Sequence, residues 1–269
     1  MTLTFGKAPF ARPPGGAYNF DIEHAAPRHI LYLEDVPKRI RGELAGETIV
    51  DTRRAKMLHE TGAFVQWYVP LDDVRAGVLE PSDRQTSDRY KGDATSYNVR
   101  VGDRVEADAA WSFPRPPEGA PPLAGLVAFA FDRLDRWFEE DEAIAGHPRD
   151  PYHRFDCRRT SEHVEVRVGG ETVAATRRAV KLFETGIPPR YYVPLDDVKP
   201  GSLVATETRS FCPYKGEAAY STVRAGETTV ADGAWTLPNP IGEAVAVAGH
   251  ISFWGDGTEV VADGQSTPI

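Results

Sequence analysis

The sequence holds few of the residues that would pin a fold by covalent or metal chemistry. Its 269 residues include two cysteines, Cys157 and Cys212, set 55 positions apart. Two cysteines build neither a disulfide framework nor a four-thiolate zinc site, so no metal is expected and free thiols fit a reducing compartment. No apolar run approaches the roughly 20 residues that cross a bilayer. Met1 to Pro14 lacks the apolar centre, between a basic start and a small-residue cleavage site, of a secretory leader. A cytoplasmic protein without membrane contact is therefore expected. Positive charge is also scarce: 31 Lys and Arg against 40 Asp and Glu leave a net charge of -9. That balance argues against an electrostatic footprint for nucleic acid. No phosphate-cradling glycine loop and no spaced pair of metal-binding carboxylates is visible, so no cofactor is expected.

What the chain has in abundance is itself. The segment from Pro27 returns without a gap from Pro151, 124 positions later. Thr52-Arg53-Arg54-Ala55 reappears as Thr176-Arg177-Arg178-Ala179, Tyr68 to Val74 as Tyr192 to Val198, Tyr90-Lys91-Gly92 as Tyr214-Lys215-Gly216, and Ala110-Trp111 as Ala234-Trp235. Solenoid units run at roughly 20 to 50 residues and cannot bury a core alone, so this longer repeat reads as two homologous domains. A composition of 41% hydrophobic and 26% charged residues suits two ordinary globular units.

The expected organisation is an N-terminal arm at 1–26, a first domain at 27–146 and a second at 147–269. The arm, with Pro13-Pro14-Gly15-Gly16, has no periodicity. Val164, Val166 and Val168 alternate with Glu165 and Arg167 before Gly169-Gly170 turns the chain into Glu171-Thr172-Val173, a hairpin matched by Ile40 to Val50 around Gly46. A second hairpin runs from Tyr97 through Gly102-Asp103 to Glu106, matched by Ser221 to Val230. Period-two runs dominate both copies, so each domain is expected to be mainly β. One helix is expected from Asp132 as N-cap, with Leu134, Trp137 and Phe138 on one face, serving the join. The tail of the second copy, Trp254 to Thr258, abandons that pattern.

These residues carry a family resemblance. Arg177-Arg178, Phe183-Glu184-Thr185-Gly186, Pro189-Arg190-Tyr191-Tyr192-Val193-Pro194, Cys212 to Ala218, Ala234-Trp235 and Ala248-Gly249-His250 together resemble domain of unknown function 427, also labelled a nucleotidyltransferase-type domain. The resemblance covers about residues 27 to 253. It implies a compact, mainly β domain of the β-tent type, similar in topology to methionine sulfoxide reductase B, and it implies no established reaction.

Singly, the residues divide between chemistry and structure. Lys215 and Glu217 lie two apart and would share a strand face, as would Lys91 and Asp93; such a pair binds an anion or carries a proton, or is a solvated ion pair. The glycine after each lysine would admit a close ligand. Arg53-Arg54 and Arg177-Arg178 precede Glu60 and Glu184, and one arginine of each pair would lock that glutamate in an internal bridge. Asp72-Asp73 and Asp196-Asp197 read as caps of a helical turn rather than metal ligands. Trp111 and Trp235 read as core or pocket wall. Cys212 and His250, replaced by Asp88 and Leu126 in the first copy, form one site of the second copy if they meet; a lone cysteine otherwise reads as a small buried hydrophobe.

The expected pocket is lined by Arg177, Glu184, Tyr192, Tyr214, Trp235 and His250, with Arg53, Glu60, Tyr68, Lys91 and Trp111 as first-copy counterparts, and any catalysis would fall to Lys215, Glu217 or Cys212. The leading expectation is a small-molecule-binding protein, acting on a polar or anionic metabolite or nucleotide, with two domains packed as an intramolecular pseudo-dimer in a monomer or weak dimer. A thiol-dependent enzyme centred on Cys212 is the second reading, and a non-catalytic interaction module the third.

Overall fold

The computed structural model of the chain describes residues 3–4, 6 and 8–268. It divides between Asp150 and Pro151 into two compact units. In the first, β1 (Leu31–Asp35), β4 (Lys56–Glu60), β5 (Gln66–Pro70), β6 (Leu79–Asp88), β7 (Gly92–Val101), β8 (Arg104–Ser112) and β9 (Leu126–Phe129) form a sheet of order β1-β4-β5-β9-β8-β7-β6. A second sheet has the order β11-β10-β2-β3, from β2 (Ile40–Leu44), β3 (Glu47–Thr52), β10 (Arg136–Glu139) and β11 (Glu142–Ile144).

The second unit repeats this strand for strand. Its larger sheet joins β12 (Phe155–Arg159), β15 (Val180–Glu184), β16 (Arg190–Pro194), β20 (His250–Phe253), β19 (Thr228–Thr236), β18 (Gly216–Ala225) and β17 (Leu203–Cys212) in that order. The smaller sheet joins β14 (Glu171–Thr176), β13 (Val164–Val168), β21 (Thr258–Ala262) and β22 (Gln265–Thr267). Both units are thus mainly β, and both expected hairpins of each copy are present.

Alternation along the strands explains how each sheet is used. On β5, Trp67 and Val69 join the apolar cluster that includes Ile40, Leu44 and Val50 of the smaller sheet, while Tyr68 between them joins Leu58, Phe113 and Leu123 on the opposite face. On β16, Val193 and Tyr192 divide in the same way. The larger sheet therefore has two apolar faces, one packed on the smaller sheet and one covered by connecting segments. The second face holds the candidate site.

The expected helix from Asp132 is absent. Phe131–Arg133 makes a single 3-10 turn and Arg136–Glu139 is strand β10, paired with β2 so that Trp137 stands opposite Gly42. The indole explains the preference: a Cβ on residue 42 would lie 2.9 Å from Trp137, and the ring packs edge-on against Trp67 and Phe129 at 5.7 and 6.0 Å. Phe138 points the other way, under the Arg41 guanidinium at 4.8 Å. A turn followed by a strand places Leu134 and Trp137 inside at a spacing that a helix also gives. The second copy closes with the equivalent strand, β21, so the two tails do not differ in kind.

The arm lacks a repeat but not a role in packing. Thr4, Ala8, Ala11 and Ile22 are buried, Asp21 caps a four-residue helix at Ile22–Ala25, and Thr4 donates to the Glu60 carbonyl at 3.3 Å. No helix among the described residues is long and apolar enough to cross a membrane.

Candidate functional site

Each unit gathers the same ionic triad. β15 ends on Glu184, and the turn from Cys212 to Gly216 presents Lys215 to it. Lys215 Nζ donates to Glu184 Oε2 at 2.5 Å, and His153 donates from Nε2 to Oε1 at 2.8 Å. In the first unit Lys91 Nζ reaches both oxygens of Glu60 at 2.5 and 2.6 Å, and His29 reaches Oε1 at 3.0 Å. An isolated carboxylate in such a place is costly. Burial raises the Glu184 pKa, but hydrogen bonds from His153 and Lys215 outweigh it and hold the group at about 2. It is ionised at neutral pH. Both histidines join the expected site residues, and their signal in the sequence is the same 124-position offset, Pro27-Arg28-His29 against Pro151-Tyr152-His153.

The glycine beside each lysine answers to the backbone. Gly216 has φ +101°, and a Cβ there would lie 2.9 Å from the Asn239 carbonyl oxygen; Gly92, at φ +93°, faces the Arg115 carbonyl in the same way. The recurrence of Tyr-Lys-Gly therefore reflects a turn closed by its own chain, and the space expected for a ligand is taken.

A cavity of about 330 Å³ opens beside the triad of the second unit, with Glu184 and Lys215 in its wall. Trp235 Nε1 donates to Tyr192 OH at 3.2 Å, as Trp111 does to Tyr68 at 3.4 Å in the first unit. Burial pushes both tyrosines up to about 12, so each phenol is neutral and free to accept that bond. Arg190 lies with its guanidinium carbon 4.8 Å from the Trp235 ring centre, and its Nη1 donates to the Phe253 carbonyl at 3.4 Å. Among the described residues no carboxylate forms an ion pair with Arg190, and burial lowers its pKa from the ordinary arginine value, opposed through space by Tyr192 and then Glu184. A guanidinium stays charged under such a shift.

The family description of domain of unknown function 427, which carries a nucleotidyltransferase-type label, matches residues 32–140 and again residues 156–264. The chain belongs to this family. Its two copies of the DUF427 domain coincide with the two units of the fold. No curated protein matches the chain.

With two DUF427 domains in one chain, the expected site residues that both copies keep can be placed twice. Glu184, Lys215, Tyr192 and Trp235 line one cavity in the second domain; in the first, Glu60 pairs with Lys91 and Tyr68 with Trp111, and of these four Trp111 alone lines the cavity there. Tyr214 is buried against the His153 ring at 4.3 Å, and Tyr90 stacks flat on His29 at 3.9 Å, so these tyrosines back the triad. Glu217 does not join Lys215: lysine sits in the turn and points inward, whereas Glu217 is exposed 3.7 Å from Arg209. Neither Arg53 nor Arg177 reaches the glutamates. Arg53 lies 3.5 Å from Glu140, and Arg177 donates to the Ser161 carbonyl at 3.4 Å, both exposed. The second arginine of each pair turns instead to an aspartate expected to be a cap. Arg54 and Thr52 bond Asp73, and Arg178 and Thr176 bond Asp197, each with a contact at 2.5 Å. These bonds hold both carboxyls below the usual range, and the 3-10 turns at Leu71–Asp73 and Leu195–Asp197 carry no side-chain cap.

Cys212 and His250 do not meet in the cavity. Cys212 lines it, whereas His250 turns its Nδ1 to the Ala248 carbonyl at 2.9 Å outside it. The other cysteine, Cys157, has its thiol pushed up by burial and by Glu243. Among the described residues no three His, Cys, Asp or Glu side chains gather as a metal would require.

Proposed function

We propose that the second domain binds a small anionic ligand, a metabolite bearing a carboxylate or phosphate, in the cavity beside Trp235, and that the first domain's cavity beside Trp111 does not. One observation carries this reading: Arg190 offers a planar fork of donors to the cavity without a carboxylate partner. A half-buried guanidinium left in that state invites an anion, and its geometry suits two oxygens at once. Lys215 adds a second positive charge in the same wall, with Glu184 as the single acidic residue there. In the first domain Gln66 stands where Arg190 does, and Asp88 replaces Cys212 and lies 3.0 Å from Lys91. The first-domain cavity beside Trp111 has neither Gln66 nor Lys91 in its wall, and Asp88, Asp108 and Asp132 line it with Arg84 and Arg133, a balance that disfavours anions. The β-tent likeness of the two domains belongs with this proposal.

Native mass spectrometry of the freshly purified chain and of Arg190→Gln tests it. The expected result is a small anionic adduct on the unaltered protein that the variant loses. An adduct retained by Arg190→Gln contradicts the reading. Cys212 lines the same cavity, which supports thiol-dependent chemistry as a second reading. It requires the thiol to be the reactive group, and alkylation separates the two.

A further inference from the structure

The first domain is a built-in control for the second, because the two backbones place equivalent residues in equivalent bonds. Ala130 N donates to Ala109 O at 2.8 Å and Trp254 N to Gly233 O at 2.9 Å. Gln66 Nε2 donates to Phe129 O at 3.0 Å, the carbonyl that corresponds to the Phe253 oxygen held by Arg190. Ser96 stands across from Trp111 on the neighbouring strand, as Tyr220 stands across from Trp235. The fold is therefore built equally well with Gln, Ser and Ala at the positions of Arg190, Tyr220 and Trp254.

What the second domain gains at those three places is one charge and two rings, all on one cavity. Trp254 meets Trp235 edge-on at 6.1 Å and 83°, and Tyr220 lies 6.3 Å from the same ring. Trp254 is 45% exposed, and its Nε1 is tied to the Asp232 carbonyl at 2.5 Å. A large ring fixed in place yet left facing water does little for the core. Tyr220 is likewise steadied, through Ser210 at 2.9 Å. Half of the wall positions of this cavity of about 330 Å³ recur in the wall of a first-domain hollow of about 700 Å³, which extends instead to Arg84, Asp108, Asp132 and Arg133.

We propose that this cavity takes a small anion carrying a flat conjugated ring, with the ring against Tyr220, Trp235 and Trp254 and the anionic group on Arg190. This rests on the anion-binding reading above and adds the ring to it. A ringless anion makes no use of walls that the fold does not need. A neutral ring leaves the guanidinium desolvated and unpaired, at a cost that a charged partner removes. Offset or edge-to-face packing between a ligand ring and aromatic side chains strengthens binding by an amount that a titration reads directly.

Isothermal titration of the full chain with inorganic phosphate, phenyl phosphate, acetate, benzoate and benzyl alcohol tests the proposal. Phenyl phosphate is expected to bind at least about tenfold more tightly than inorganic phosphate, or benzoate than acetate, a ratio equal to about 1.4 kcal/mol. Whichever pair shows the ratio identifies the anionic group. Benzyl alcohol is expected not to bind. The double change Tyr220→Ser with Trp254→Ala should erase the ratio while the ringless anion still binds, and Arg190→Gln should abolish binding of both. Thermal unfolding confirms that these variants fold, as the first domain does with the same residues. Equal affinity for ringless and ring-bearing anions overturns the proposal and leaves the anion reading standing. No binding of any of the five overturns both. A ratio that survives the double change overturns the assignment of the ring to these walls.

Discussion

Replacing Glu184 by Gln keeps the shape of the buried side chain and removes its charge. The carboxyl is held at about 2 instead of 4.5, a preference for the ionised form of about 3 kcal/mol at roughly 1.4 kcal/mol per pH unit. Its side chain is 10% exposed, so water screens little of this. Removing one partner of a buried ion pair costs about 3 to 5 kcal/mol in general, because the other charge is left alone. The folded pKa lies below the unfolded one. The stabilisation is therefore complete above pH 4.5 and lost as pH falls toward about 2. Glu184→Gln should lower the unfolding free energy of the second domain by about 3 kcal/mol at pH 7, and the difference should shrink steadily below pH 4.5. Calorimetry of the full chain, with each domain's transition followed separately, reads this. A loss under about 1 kcal/mol at pH 7, or one that is unchanged at pH 3, refutes the assignment of Glu184 as the charged centre of the triad.

Arg190→Gln should change the stability of the second domain by less than about 1 kcal/mol in urea unfolding, because Gln66 makes the equivalent carbonyl bond in the first domain. A larger loss makes Arg190 structural. Gly216→Ala should cost about 2 kcal/mol or more, since φ +101° and a carbonyl 2.9 Å from the new Cβ both oppose it; a neutral effect in the same assay contradicts the closed-turn explanation of Tyr-Lys-Gly. Cys212 should react with iodoacetamide near neutral pH more slowly than a model thiol, as a half-buried cysteine does. Rapid labelling of Cys212 that phenyl phosphate blocks favours the thiol reading instead.

The repeat, the hairpins and the β class were legible because period-two alternation and glycine turns are local signals, stated twice. The expected helix fails for the same local reason: Leu134 and Trp137 enter the core at a helical spacing, and Gly42, distant in sequence, makes room for the indole in a strand. The triad was half visible. Lys91 and Glu60, like Lys215 and Glu184, stood out by recurrence, but their pairing is a tertiary fact and arginine was the nearer partner in sequence. Arg190 lay inside a recurrent motif, at a position where the copies differ. What both copies keep holds the fold, whereas the distinctive cavity of the second domain is built from what they do not share.

A crystal structure of the full chain grown with phenyl phosphate locates the ligand most directly. The expected result is an anion within about 3 Å of the Arg190 guanidinium in the second domain, its ring beside Trp235 and Trp254, and an empty cavity at Trp111 in the first. Ligand density at the first-domain cavity with none at Arg190 contradicts the proposed site.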